Sequence, residues 1–180
     1  KTNLWVMERH GAGWSEAQPL PPVINALPLH WPFSVDLKGN LYFGANRQAP
    51  RQMEQEIFWS RHENGIYAPP EKLGPAINGP GSNFAPFIAP DGSYLIVTRL
   101  DPQTLMPSLF ISYRGRDGAW TPARDLQDVL GANVAGSMPW VTPDGKYLFF
   151  LDVSGPSWVD AGFIEELRKQ DGLHPDDVTG

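Results

Sequence analysis

The sequence predicts an all-β protein built from repeated antiparallel sheets. Eighteen glycines and nineteen prolines among 180 residues supply frequent turns. Aromatic residues make up 12% of the chain, a load that low-complexity disorder does not carry. Pro-Asp-Gly and Asp-Gly turn motifs recur between short apolar runs. Many short strands joined by such turns are typical of all-β domains.

A repeat organises the chain. Gly39, Gly92 and Gly145 are each 53 residues apart, and each follows an apolar run and precedes another. A second set of similar segments lies between them, at Leu4–Trp14, Ile57–Tyr67 and Leu109–Trp120. We therefore expect the same supersecondary unit to recur along the chain.

Each unit predicts four short strands. In the central copy the first strand ends at the Phe87–Gly92 turn, the second covers Tyr94–Thr98 and the third covers Leu109–Tyr113. An Asp-Gly turn then leads to a short fourth strand near Trp120. A four-stranded repeat of this length is typical of a β-propeller blade.

The chain holds about three and a half such units. We predict one partial propeller over residues 1–180, comprising a half blade (1–28), a blade (29–79), a second blade (80–132), a last blade (133–160) and a helix with its tail (161–180). Closed propellers have roughly four to eight blades. We therefore expect that upstream blades of a longer chain are missing or that a second copy of this chain completes the ring.

The chain end predicts a short helix. Asp160 is a candidate N-cap, and Phe163, Ile164 and Leu167 fall on one helical face. Gly172 is a candidate helix end.

Two turn motifs carry a resemblance to a known family. They are Ala89–Leu95 and Thr142–Leu148, with Asp36–Gly39 as a degenerate copy that lacks the proline. Together with the Leu73–Asn78 linker and the Trp158–Leu167 chain end, they resemble the TolB-like β-propellers. The resemblance implies a scaffold or binding module of the bacterial envelope or secreted space, in a periplasmic or extracellular location.

Several function classes are disfavoured. The net charge of −6 without a Lys/Arg run argues against nucleic acid as a partner. No apolar run reaches the roughly 18 residues of a membrane span. The absence of cysteine excludes disulfides and thiolate catalysis. The sequence lacks metal-binding His motifs and a Gly-x-Ser-x-Gly motif. We therefore expect no metal and no cofactor.

The candidate ligand site lies in the loops at the channel mouth, because loops on a rigid scaffold carry function. These loops enter the first strands and connect second to third strands. Their candidate residues are His30, Trp31, Arg47, Asn83, Arg99, Asp101 and Asp152.

Other recurring side chains are interpreted as structural. We expect the carboxylates to hold turns, the arginines to pack locally rather than clamp a ligand carboxylate, and the tryptophans to pack between blades. These residues are Asp36, Asp91 and Asp144; Arg9, Arg61 and Arg114; and Trp5, Trp14, Trp59, Trp120, Trp140 and Trp158.

The sequence favours a non-catalytic binding module whose protein, peptide or sugar ligand lies at the channel mouth. Whether it has enzymatic activity stays open. One alternative is a glycosidase or lyase, with Asp101 and Asp152 as its carboxylates. Another is the propeller part of a peptidase whose catalytic domain lies elsewhere.

Overall fold

The structure, a computed structural model, describes residues 3–46, 54–131 and 134–173, with backbone alone over 29–31. Strands dominate these residues, and the helices found among them are three short ones. The all-β prediction is confirmed. None of the described helices combines the length and the apolar character that crossing a bilayer requires.

The N-terminal segment consists of two small hairpin-like pairs and a helical turn. Its elements are β1 (Trp5–Val6), β2 (Arg9–His10), β3 (Gly13–Trp14), β4 (Gln18–Pro19) and α1 (Pro22–Asn25). β1 pairs with β4, and β2 pairs with β3. The buried Asn25 amide holds the segment together, because it accepts the Leu4 N–H at 2.9 Å and donates to the Leu20 carbonyl at 2.7 Å.

The first sheet has four antiparallel strands. They are β5 (Leu29–Val35), β6 (Leu41–Ala45), β7 (Glu56–Ser60) and β10 (Glu71–Lys72), in the order β10-β7-β6-β5. A small hairpin of β8 (His62–Glu63) and β9 (Ile66–Tyr67) connects β7 to β10.

The second and third sheets repeat this antiparallel order. The second contains β11 (Ser82–Ile88), β12 (Tyr94–Leu100), β13 (Pro107–Tyr113) and β14 (Arg124–Asp125), and α2 (Gln127–Leu130) follows it. The third contains β15 (Ser137–Val141), β16 (Tyr147–Asp152) and β17 (Gly155–Asp160), and α3 (Phe163–Gln170) follows it.

The predicted short fourth strand is present in the second sheet, but it begins after Trp120 rather than at it. Trp120 forms only an isolated bridge with Arg114, and the strand proper, β14, begins at Arg124. Pro122 lies between the two and has no N–H to donate, so it interrupts the pairing with β13.

The repeated turns keep the glycine spacing but differ in length. Gly92 donates its N–H to Ala89 at 2.8 Å, and Gly145 donates to Thr142 at 2.8 Å. Each has a positive φ, which favours glycine. In the first sheet the corresponding glycine, Gly39, donates its N–H to the Asp36 carbonyl at 2.9 Å. Asp36 therefore occupies the position of Ala89 and Thr142, not that of the Pro-Asp-Gly aspartates.

The shorter first turn changes the repeat spacing. Val35 pairs with Leu41 across residues 36–40, whereas Ile88 pairs with Leu95 across residues 89–94. The extra residue offsets β12 from β6 by 54 positions rather than 53. Val141 pairs with its partner across residues 142–147, so the second and third sheets keep the 53-residue spacing.

The turn role of the aspartates is confirmed. Asp36 accepts the Lys38 N–H at 3.0 Å, and Asp91 accepts the Ser93 N–H at 2.9 Å. Asp144 likewise accepts the N–H two residues ahead, at 3.2 Å. Each carboxylate thus holds its own hairpin.

The sheets pack face to face in chain order. One apolar cluster joins the N-terminal segment to the first sheet, a second joins the first and second sheets, and a third joins the second sheet to the third and to α3. The first strands lie side by side, where Ile88 donates to Ser34 at 3.1 Å. Met138 donates to Thr98 at 3.0 Å across the next junction.

The predicted apolar face of the C-terminal helix is confirmed, since Phe163, Ile164 and Leu167 are buried. The N-cap is Gly162 rather than Asp160, because the first helical turn starts later. Asp160 still accepts the Gly162 N–H at 2.8 Å.

Two side chains tie this helix to the second sheet. Buried Arg168 donates from Nη2 to Ser93 Oγ at 2.8 Å. The Tyr113 hydroxyl donates to the Ile164 carbonyl at 2.7 Å.

The expectation that the tryptophans pack in the core is wrong for four of them. Trp5, Trp14, Trp140 and Trp158 are exposed, while Trp59 and Trp120 are half-buried. The exposed four lie on the N-terminal strands and the third sheet, the two ends of the stack.

Candidate functional site

Three of the seven predicted site residues cannot be placed. The side chains of His30 and Trp31, and all of Arg47, lie outside the described residues. The other four lie near the ends of β12 and β16 and at the start of β11.

Arg99 is committed to the interior of the second sheet. Its Nε donates to Asn83 Oδ1 at 3.0 Å and its Nη2 to the Ile77 carbonyl at 3.0 Å. The guanidinium carbon lies 3.8 Å from the centroid of the Phe110 ring. Burial lowers the pKa of Arg99. These contacts fix the position of the half-buried guanidinium, and its role as a ligand contact stays a prediction.

Asn83 is the partner that the structure brings to Arg99. Its side chain is buried and donates to the carbonyls of Gly79 at 2.9 Å and Gly81 at 3.1 Å. The loop must approach closely, because a Cβ at position 79 would collide with the Arg99 guanidinium. Together the two side chains hold the loop that leads into β11.

Asp101 holds the loop between β12 and β13. Its Oδ1 accepts the N–H groups of Thr104 at 2.7 Å and Gln103 at 2.9 Å, and the Thr104 hydroxyl at 3.0 Å. These hydrogen bonds stabilise the charged form and lower the pKa of Asp101.

Asp152 has the same role in the turn between β16 and β17. It accepts the Ser157 hydroxyl and the Ser154 and Gly155 N–H groups. The Ser157 hydroxyl is the main reason that the pKa of Asp152 is lowered. A glycosidase acid needs a raised pKa to hold its proton near neutral pH. Asp101 and Asp152 therefore lack the environment of a general acid.

The mouth loops also border a mostly apolar groove of about 570 Å³. Met106 and Pro107 from the Asp101 loop form one wall, and Leu151 and Val153 flank Asp152 on the other. The structure thus brings the Asp101 loop and Asp152 to the same groove.

A second cavity, which we call the arginine cleft, lies at the opposite end of β12. It measures about 380 Å³ and lies between the turns of the first and second sheets. Four cationic and three acidic side chains line it, together with Trp59 and His62. The cations are Lys38, Arg61, Arg114 and Arg116, and the acids are Asp36, Glu63 and Asp91.

Trp59 organises the cations of the arginine cleft. The guanidinium carbons of Arg61 and Arg114 both lie 5.6 Å from the centroid of its ring. Arg114 also lies 5.2 Å from the centroid of the Trp120 ring. An aromatic ring attracts a guanidinium and leaves N–H groups available for a planar anion. Arg114 Nε also donates to the Gly118 carbonyl at 3.4 Å.

Asp36 and Glu63 compete weakly for Arg61 and Arg114 of the arginine cleft. Asp36 is buried and accepts the N–H groups of Lys38 and Asn40. Glu63 lies 3.4 Å from Arg61, but both side chains are more than half exposed. Exposed pairs of this kind contribute little free energy. A ligand carboxylate can therefore replace Glu63 at small cost.

A buried tyrosine lies next to Arg114 of the arginine cleft. Tyr42 is fully buried, and burial raises the pKa of its hydroxyl while the neighbouring Arg114 opposes the rise. Gly92 also lines the cleft, and its positive φ favours glycine at this turn.

The sequence singled out Arg61 and Arg114 but gave them the wrong relation. Ala68 donates to the carbonyl of Arg61, whereas the corresponding N–H in the second sheet, Thr121, donates to Tyr113. Arg61 therefore matches Tyr113 and not Arg114. The two arginines meet because they come from non-equivalent positions on facing sheets, a relation that no sequence spacing reveals.

Within residues 3–46, 54–131 and 134–173, no cluster of three or more His, Cys, Asp or Glu side chains is placed to hold a metal ion. No family model matches the chain, and a search of curated proteins gives no match.

Proposed function

We propose that this chain is a propeller-type binding module that holds a carboxylate-bearing ligand in the arginine cleft. The observation that carries the proposal is the pair of guanidiniums, each 5.6 Å from the centroid of the Trp59 ring, in a cleft of about 380 Å³. Ligand sites commonly combine an aromatic wall with a few convergent polar groups.

The propeller part of the proposal rests on the repeated order of strands. Two four-stranded antiparallel sheets and one three-stranded sheet follow each other and pack face to face. Their first strands lie side by side, as they do around a propeller axis. The TolB-like resemblance of the turns agrees with this arrangement and supports a periplasmic or extracellular location.

Binding is favoured over catalysis because the carboxylates proposed for an enzyme are committed elsewhere. Asp101 and Asp152 each hold a turn through several hydrogen bonds, and these lower their pKa values. Arg61 and Arg114 carry planar donors suited to a carboxylate beyond the ones that contact Glu63 and the Gly118 carbonyl. The ligand is therefore an acidic peptide or an acidic sugar, recognised through the same group.

Calorimetry with matched acidic and neutral probes tests this function. The peptide pair is hexaglutamate and hexaglutamine, and the sugar pair is trigalacturonate and trigalactose. Either acidic probe should bind more tightly than its neutral counterpart, and the sugar and peptide arms separate the two ligand sources. Binding should weaken as salt rises, because exposed charge pairs are screened.

Arg114→Gln and Arg61→Gln should each weaken the binding of the acidic probe by roughly tenfold, since each removes a charge-assisted hydrogen-bond donor. Arg9→Gln is the matched control, because Arg9 lies on the exposed β2, outside the cleft. Equal affinity for acidic and neutral probes, or no binding of any probe, would contradict the proposal.

A further inference from the structure

The three sheets place equivalent residue pairs on one face, which we call the forward face. Counted from the turn, the central pairs are Tyr42 with Trp59, Ile96 with Ile111, and Phe149 with Trp158. All six residues are large and apolar or aromatic, as positions in a sheet-to-sheet interface require.

The next sheet covers the second pair and Tyr42 of the first pair, while Trp59 stays half-buried beside the arginine cleft. Tyr42 packs in the cluster that contains Leu95 and Val97 of the second sheet. Ile96 and Ile111 pack in the cluster that contains Leu148 and Phe150 of the third sheet. In both junctions the covering surface is the opposite, backward face of a neighbouring sheet.

The third pair is uncovered. Phe149 is 37% exposed and Trp158 is 59% exposed, although Ile96 and Ile111 at the same positions are fully buried. Neighbouring aromatic side chains extend this open face. Trp140 lies 6.0 Å from Phe149, and Tyr147 lies 5.1 Å from Trp158, between ring centroids. The strands alternate as buried and exposed, so the apolar side chains are concentrated on a single surface.

The other end of the stack offers the complementary surface. Leu4 packs toward the first sheet, together with Leu41 and Phe43 of its backward face. Trp5, the residue after Leu4 and the first of β1, points away from the first sheet, with 58% of its surface exposed. Met7 is also exposed. This is an uncovered backward face, the type that covers Tyr42 and Ile96 in the two complete junctions.

We propose that the open face of the third sheet, centred on Phe149 and Trp158, packs against the Trp5 side of the N-terminal strands of a second copy of this chain. Each contact joins two different surfaces, and two such contacts related by a two-fold axis close a ring of two chains. Two copies would contribute six sheets and two β1–β4 pairs, within the range of roughly four to eight blades in closed propellers. The proposal is independent of any ligand in the arginine cleft.

Sedimentation equilibrium of the full chain over a wide concentration range tests this assembly. We expect a reversible species of twice 20.0 kDa. Trp158→Asp and Trp5→Asp should each raise the dissociation constant at least about thirtyfold, because each places a charge in an apolar interface. Ile66→Asp is the matched control, since Ile66 is 71% exposed on the β8–β9 hairpin and belongs to neither surface.

Mixing the two variants distinguishes this contact from one in which two identical faces pack on each other. Trp158→Asp and Trp5→Asp chains, each monomeric alone, should form a heterodimer when mixed, because one of the two contacts then joins two unaltered surfaces. Circular dichroism of each variant checks that it is folded.

Three outcomes would overturn the assembly. A wild-type chain that stays monomeric up to millimolar concentration would mean that another polypeptide segment covers the open face. A dimer that survives Trp158→Asp would place the contact elsewhere. A dimer that is lost with Trp158→Asp but survives Trp5→Asp would indicate two open faces packed on each other.

Discussion

The second and third sheets have nearly the same strand pattern, but the forward face of the second sheet is buried and that of the third sheet is exposed. Ile96 and Ile111 have no exposed surface, while Phe149 and Trp158 keep 37% and 59% of theirs. In each sheet the two residues of the pair lie opposite each other on neighbouring strands, and the two pairs occupy the same position of the repeat. The difference therefore comes from what lies beyond each sheet and not from the residues themselves.

This contrast shows how a repeat protein distributes its stability. Each unit supplies one backward and one forward face, and the free energy of burial is gained only where a neighbour is present. Residues in the middle of the stack should be essential for folding, and their counterparts at the open end should be important mainly for association.

The largest expected effect breaks a covered pair. Ile111→Ala should lower the free energy of unfolding by about 2–5 kcal/mol, because it leaves a cavity between the second and third sheets. Phe149→Ala should change it by less than about 1 kcal/mol. Urea titrations followed by circular dichroism at low protein concentration, where the chains are monomeric, would measure both. Equal losses for the two variants would contradict the contrast.

An intermediate effect is expected at the loop that enters the second sheet. Asn83→Ala should cost about 1–3 kcal/mol, because it removes the acceptor of Arg99 Nε and a donor to the Gly79 carbonyl. Asn83→Asp keeps the acceptor for Arg99 and removes the donor to Gly79. The same titrations would show which half of the network matters, since a full recovery in Asn83→Asp would assign the loss to Arg99 alone.

The smallest expected effect concerns the acid stability of the mouth turns. The pKa of Asp152 is lowered in the folded chain, so its contribution is present above the unfolded value of about 3.9 and is lost as pH falls below it. Asp152→Asn should therefore flatten the dependence of stability on pH below about pH 4. Thermal unfolding from pH 2 to pH 7 would measure this, and an unchanged pH dependence would contradict it.

Much of the architecture could be predicted from the sequence, because turns and apolar runs are local signals. The glycine spacing, the turn aspartates and the apolar face of α3 all followed from residues that are close together in the chain. The fourth strand of the second sheet was misplaced because Pro122 interrupts a pairing that depends on the neighbouring strand.

The candidate site could be predicted only in part. Asn83 and Arg99 were predicted as polar residues of ligand-binding loops, but in the structure they hydrogen-bond to each other. Which polar groups pair in this way is decided by tertiary contacts. The approach of Arg61 and Arg114 to the Trp59 ring joins two sheets whose registers differ by one residue. That offset arises in the first turn.

By itself, the sequence determined the period of the repeat, the position of the turns and the order of the strands, since these depend on backbone preferences and on the alternation of apolar residues. Only the tertiary structure decided which side chains are buried, which carboxylates are committed to turns and which arginines share the Trp59 ring. Those properties depend on the distance between sheets and on what covers each face, and neither can be predicted from the spacing of residues along one strand.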